Sequence, residues 1–171
     1  MGGSHDVPVR DGEIEALDTY IENLVRQLVG LTVIANSDLQ PVRVGAGSDE
    51  ANVAINREEI DPEDSSILVG RNPDGITDRS VDVLRIDTID GVPLAVIVGY
   101  AAHPVVMGYF QYLYSQDYPG TVRSIVEKTT SATCLFLTGA AGNQACWSFL
   151  QSNWEEQERM GGRIAGAAIK A

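Results

Sequence analysis

Two apolar segments that each run into polar residues constrain the fold of this chain most. The first is VIVGYAAHP, residues 96–104, and the second is CLFLTGAAGNQ, residues 134–144. Each pattern is typical of a buried strand that delivers ligand-capable groups just past its carboxyl end, which is the edge where open α/β sheets bind ligands. We therefore expect an α/β fold, a mixed β-sheet with helices packed on it, and a candidate site beside His103 and the 139–144 loop.

The composition excludes some partners. The chain has 171 residues and a formal net charge of −12, from 24 acidic and 12 basic residues. That balance argues against nucleic acid and anionic membrane surfaces, which bind clustered Lys and Arg. No apolar run approaches the roughly 20 residues that span a bilayer. The first residues also lack the apolar stretch of a signal peptide, so the compartment is left open.

We expect residues 11–171 to form a single α/β domain, preceded by a disordered or expression-derived segment, 1–10. An amphipathic helix is predicted from an N-cap at Asp11 to Val29, with Gly30 ending it. The predicted elements after it are short strands at 31–35, 42–44 and 53–55, a long polar loop at 56–79, a hairpin of 81–87 and 92–101, a helix beginning with Pro119 at its first position, a strand at 132–138, and a last helix opened by a capping box at 152–155.

His103 is the candidate metal ligand or general base, because a neutral imidazole can do either. The alternative is a half-buried histidine bonded to backbone. Asp117 could orient a ligand histidine, or it could simply stabilise the start of a helix.

The loop containing Gly142, Asn143 and Gln144 could present backbone N–H groups to an oxyanion. The alternative is a tight strand exit built from turn-forming residues. Arg57 and Arg71, the latter followed by Asn72, could hold a carboxylate or phosphate. Salt bridges within an acidic loop are the alternative for both arginines. Cys134 lies in a predicted strand and is expected in the core.

Several segments, in their order and spacing, resemble the amino-terminal catalytic domain of the neutral/alkaline non-lysosomal ceramidase family. They are NR (56–57), GRNPDG (70–75) running into VDVLRI (81–86), YAAHP (100–104), SQDYPG (115–120) and FLTGAAGNQ (136–144). The resemblance covers most of the chain and is closest to uncharacterised bacterial relatives.

The resemblance implies a zinc-dependent amidase that hydrolyses ceramide, with zinc held by two histidines, a glutamate and a tyrosine. It places His103 at the second histidine ligand. The first histidine belongs to a His-x-His-Ser-Gly-Pro segment that is not reproduced here, and the glutamate and tyrosine positions lie beyond the segments that match. Ala145 occupies the place of the serine proposed as nucleophile in ceramidases.

Two functions follow as hypotheses. The first is a partial zinc-dependent amidase domain, an internal piece of a larger enzyme, which binds little or no zinc alone and is inactive as an isolated chain. Its substrate would be a small-molecule or lipid amide. The second is a non-catalytic binding or assembly module that keeps the fold. Because unsatisfied apolar faces and sheet edges are commonly covered by a second copy, we also expect a homodimer.

Overall fold

A computed structural model describes residues 13–109 and 112–171. The chain divides into two compact units, Met1–Pro41 and Val42–Ala171. The predicted N-cap at Asp11 and the predicted disordered or expression-derived segment 1–10 lie outside the described residues. No helix in the described part of the chain is both long and apolar enough to cross a membrane.

The first unit contains the helix α1, Glu13–Ser37. The predicted amphipathic helix is confirmed, but the predicted end at Gly30 is wrong, because the helix continues through this residue to Ser37. The predicted strand at 31–35 is therefore wrong. An internal glycine costs a helix only about 1 kcal/mol relative to alanine, which its helical flanks can offset. The side chains described in α1 are all exposed.

The second unit contains the remaining two helices and seven strands among the described residues. In chain order they are β1 (Val42–Glu50), β2 (Ala54–Ile60), β3 (Ile67–Asn72), β4 (Ser80–Thr88), β5 (Pro93–Tyr100), α2 (Asp117–Thr130), β6 (Thr133–Thr138), β7 (Gln144–Cys146) and α3 (Trp154–Lys170). The predicted β4–β5 hairpin is present, and Gly91 supplies the positive φ of +85° that its turn needs.

The strands form two sheets rather than one. The four-stranded sheet has the order β1-β4-β5-β6, antiparallel except for the parallel pair β5–β6 that α2 connects. The three-stranded sheet has the order β3-β2-β7 and is antiparallel. The α/β class is confirmed, whereas the loop predicted over 56–79 is wrong, since it contains most of β2 and all of β3.

The core lies between one face of the four-stranded sheet and the helices α2 and α3. Val81, Val98 and Cys134 point from the sheet into it, and Val122 and Ile164 meet them from the helices, all fully buried. Two tyrosines in this core are hydrogen-bonded by their hydroxyls to main-chain carbonyls, Tyr100 to Ala51 and Tyr118 to Ala102. These bonds satisfy the phenolic groups that burial removes from water.

The last helix begins differently from the predicted capping box. Its N-cap is Asn153, whose side chain accepts hydrogen bonds from the backbone N–H groups of Glu155 and Glu156. Ser152 instead donates its hydroxyl to the carbonyl of Met107. The capping interaction is therefore shifted by one residue, and Ser152 ties α3 to the segment that follows His103.

Candidate functional site

The candidate site lies where the chain leaves β6 of the four-stranded sheet, passes through the 139–144 loop and enters β7 of the three-stranded sheet. His103 and Ala145 form an isolated parallel bridge, and the His103 N–H donates to the carbonyl of Gln144 at 3.0 Å. His103 and the glycine-lined turn at 139–144, at least 36 positions apart in sequence, are thus neighbours through their main chains. Both follow the carboxyl ends of the adjacent parallel strands β5 and β6, as the sequence predicts.

The three-stranded sheet brings further predicted residues to this place. Asn56 in β2 is paired on one side with Asn72 of β3 and on the other with Gln144 of β7. These three polar residues therefore form one row across the sheet. Residues 56–79 are predicted as loop and contain most of β2 and all of β3, so the sequence alone assigns no register to this row, and the structure supplies it.

Arg57 is fixed against the turn. Its backbone N–H donates to the carbonyl of Asn143 at 2.8 Å, and its Nε and Nη2 both donate to the carbonyl of Gly142, at 3.0 and 2.9 Å. The side chain is half-buried. A guanidinium held in this way keeps its remaining N–H donors beside the turn, where they can meet an anionic or carbonyl oxygen.

His103 is half-buried, and its pKa is lowered from the usual value, first by burial and then by the positive charge of Arg57. The imidazole is consequently neutral at pH 7, which is the form that can ligate a metal or accept a proton. Arg57 therefore acts on the site twice, by anchoring the turn and by disfavouring the imidazolium.

The three residues of the turn differ in what they leave accessible. Gly142 is exposed, and a Cβ placed on it meets nothing within 4 Å, so a ligand can approach its backbone closely. Gln144 is buried, with its Oε1 accepting from the N–H of Asp78 and its own N–H bonded to Ala141. The side chain of Gln144 thus holds the irregular segment before β4, and Gly142 with the half-buried Asn143 form the open part of the turn.

Among the described residues, Arg71 and Asp117 form no hydrogen bond with the turn. The guanidinium of Arg71 donates to the carbonyl of Trp147 and stands 4.7 Å from the centre of the Phe149 ring, a cation–π contact. The buried Asp117 carboxylate accepts the N–H groups of Met107 and Tyr118, at 2.9 and 2.7 Å. Asp117 thereby joins the segment after His103 to the start of α2.

Asn56 is the site residue that the sequence argument passed over as a candidate. The residue is 5% exposed, and its side-chain amide donates to the carbonyl of Ile76 and accepts from the N–H of Glu58. Gly75 must be a glycine next to it, because a Cβ there would lie 2.5 Å from the Asn56 side chain. A polar residue directly after the apolar run 53–55 is the signal that could have indicated it.

The donors for a metal are few. Among the described residues there is no group of three or more His, Cys, Asp or Glu side chains placed to hold a metal ion. Both cysteines are free and buried, and burial raises the pKa of the Cys134 thiol to about 11 and that of Cys146 further. A single neutral imidazole does not match the three protein ligands of a catalytic zinc centre.

The fold and this strand-exit site define an α/β domain of ceramidase-like architecture. The chain is similar to a crystal structure of neutral ceramidase from Pseudomonas aeruginosa, with a TM-score of 0.61 and 22% sequence identity over 80% of this chain. A second ceramidase structure, a complex with C2, matches with the same TM-score, identity and coverage. The resemblance inferred from the motifs is thereby confirmed at the level of the fold.

The chain spans 23% of the length of those ceramidase chains. No protein-family profile matches the sequence. No curated protein matches it either.

Proposed function

We propose that this chain is part of a ceramidase-like amide hydrolase, in which His103 and the Gly142–Asn143 turn face the amide to be cleaved. The observation that carries the proposal is the direct main-chain pairing of His103 with the β7 strand that follows this turn. It brings a neutral imidazole, a guanidinium and an open glycine backbone to one strand exit.

Each of these groups has a role in amide hydrolysis. The backbone N–H groups at Gly142 and Asn143 are suited to a carbonyl oxygen that becomes an oxyanion. Arg57 keeps that turn in place and offers positive charge to the same oxygen or to the carboxylate product. In a complete zinc site His103 would supply one ligand, and the ion would polarise the carbonyl and lower the pKa of its bound water.

The residues described here do not make a complete zinc site, so we expect the chain alone to bind zinc weakly and to lack amidase activity. Ala145, fully buried against Ile55 and Phe149, offers no hydroxyl in place of a nucleophile. We therefore assign the chain's own residues to binding and orientation, and the substrate class to lipid or small-molecule amides.

The test is a zinc titration of the purified chain with a competing chromophoric chelator, beside an assay for release of fatty acid from a short-chain ceramide. The expected Kd is weaker than about 100 µM, far from the nanomolar and tighter affinities of complete zinc sites. His103→Ala should remove what binding there is, with His5→Ala as the matched histidine control. Stoichiometric zinc that survives dialysis, or binding unchanged in His103→Ala, would contradict the proposal.

A non-catalytic module is the second candidate. The face of the four-stranded sheet that is opposite to α2 and α3 is exposed, and this favours the module. In that case the strand-exit site binds a ligand without turning it over. Ligand binding at the strand exit that needs no zinc and persists in His103→Ala would favour the module over the amidase.

A further inference from the structure

The four-stranded sheet has an outer face that no helix of the Val42–Ala171 unit covers. Strand pairing aligns the outward residues into three rows across β1, β4, β5 and β6. The central row is entirely apolar: Ala46, Leu84, Ile97 and Leu135. The flanking rows are Val44, Ile86, Ala95 and Thr133 on one side, and Ser48, Asp82, Gly99 and Leu137 on the other.

The exposure of this outer face contrasts with the buried inner face. Val44, Leu135 and Leu137 are 59%, 49% and 58% exposed, whereas Val81 and Val98 on the inner face are 0% exposed. Single exposed apolar residues are common on soluble proteins, but a contiguous apolar patch of several strands marks an interaction surface. The outer face is such a patch.

We propose that the outer face is an interface between two copies of this chain, packed sheet against sheet about a two-fold axis. This interface can be tested separately from the candidate site, because the rows lie on the sheet's face and the site lies past the strand ends. Two sheets pack face to face about 10 Å apart, with apolar side chains interdigitating between them. A two-fold axis makes one self-complementary surface serve both partners.

The charge distribution selects a second copy as the occupant. The chain carries a net charge of −12, so most contacts between two copies would bring like charges together. The three rows contain one ionisable residue, Asp82, which lies toward one end and accepts a hydrogen bond from Ser48. A basic partner would find almost no charge here to recognise, whereas an identical apolar face meets no repulsion.

The size of the face sets the expected affinity. Four strands spaced about 4.8 Å apart and six to nine residues long cover roughly 19 by 25 Å, or about 500 Å² per copy. Two copies would bury about 1,000 Å², which is the lower end for a specific interface. We therefore expect a weak dimer with a Kd on the order of micromolar rather than an obligate one.

The experiment is sedimentation equilibrium of the full chain from about 1 to about 200 µM, which brackets a micromolar Kd. The wild type should pass from monomer to dimer over this range. Leu135→Glu should stay monomeric, because its two symmetry-related carboxylates would be placed in the interface. The matched control is Ile67→Glu, also on an exposed strand residue but in the other sheet, and it should dimerise as the wild type does.

A second measurement does not depend on how well the glutamate variant folds. Leu84→Cys lies in the central row and should give a disulfide-linked dimer on mild oxidation, while Ile67→Cys should not. The native cysteines are both buried and contribute no background.

Three results would overturn the proposal: a monomeric wild type at every concentration, a dimer that persists in Leu135→Glu, or equal cross-linking of the two cysteine variants. The exposed apolar residues of α1 are the alternative occupant or interface. A variant with Leu17, Leu24 and Leu28 changed to serine should keep the dimer, and its loss would also overturn the proposal.

Discussion

His103 is held at the candidate site by its main chain, and this determines how its side chain behaves. The N–H donates to the carbonyl of Gln144 and the carbonyl accepts from the N–H of Val105, so the described hydrogen bonds that position this residue are made by its main chain. The structure shows a half-buried histidine whose main chain is hydrogen-bonded to backbone, and the role of its ring as a metal ligand stays a prediction.

The depressed pKa of His103 makes stability depend on pH in a defined direction. The folded-state pKa lies below the unfolded value of about 6.5, through burial and then Arg57. Above that unfolded pKa the imidazole is neutral in both states and its contribution is fully present. As the pH falls through 6.5, the unfolded chain binds the proton more tightly, and the free energy of unfolding decreases.

Urea unfolding between pH 7.5 and pH 5.5 tests this, with His5→Gln as the background in which His103 is the only histidine. We expect His103→Gln to flatten the decrease within this window. Arg57→Gln should reduce it partly and raise the imidazole pKa observed by NMR. The carboxyl groups with lowered pKa values, such as Asp78 and Glu156, contribute only below about pH 5. An unchanged slope in His103→Gln would show that the imidazole is not the cause.

At the scale of elements, the parts of the fold that were predicted are those whose signals are local. The β4–β5 hairpin follows from Asp90–Gly91 between two apolar runs, and the strand at β6 follows from its continuous apolar sequence. In the three-stranded sheet the local signal covers only residues 53–55, at the start of β2. Residues 58–60 of β2 and the six residues of β3, ILVGRN, do not alternate between polar and apolar side chains, and most of them are exposed, so no buried face identifies a strand.

The candidate site was accessible to sequence reasoning only where it depends on strand ends. The parallel order of β5 and β6 places His103 and the 139–144 loop at the same edge, and this could be predicted. The positions of Arg57 and Asn72 depend on the long-range pairing of β2 with β3 and β7, which no local sequence pattern encodes. The hydrogen bonds of the Asp117 carboxylate depend on which backbone N–H groups lie near it in the folded chain, and no sequence pattern indicates them.

The N-cap of α3 gives a prediction that separates the structure from the sequence pattern. Asn153→Ala removes the acceptor for two backbone N–H groups at the start of a 17-residue helix and should cost about 1 kcal/mol of unfolding free energy. Chemical denaturation followed by circular dichroism measures it. Asn153→Asp is the conservative control and should retain most of the stability, since aspartate caps equally well and suits the helix dipole.

A cap at Ser152, as the capping-box pattern indicates, would give a different result. Asn153→Ala would then be nearly neutral, and Asn153→Asp would show no advantage over it.

At the scale of the whole molecule, the two units differ in where their stability originates. Every buried apolar residue of the described chain lies between Ala51 and Ala168, within the Val42–Ala171 unit. The described side chains of α1 are exposed and bury no core of their own. Because burial of apolar surface supplies most of the folding free energy, the second unit should hold nearly all of it.

A chain of residues 42–171 alone should therefore unfold cooperatively, with a Tm within about 5 °C of the full chain. It should also dimerise as the full chain does, because the outer face of the four-stranded sheet lies wholly within it. Differential scanning calorimetry and sedimentation of the shortened chain measure both. Met160→Ala in the full chain is the positive control for core damage, since this buried side chain should cost about 2–5 kcal/mol when truncated. Non-cooperative unfolding of residues 42–171 would show that the first unit contributes to the core in solution.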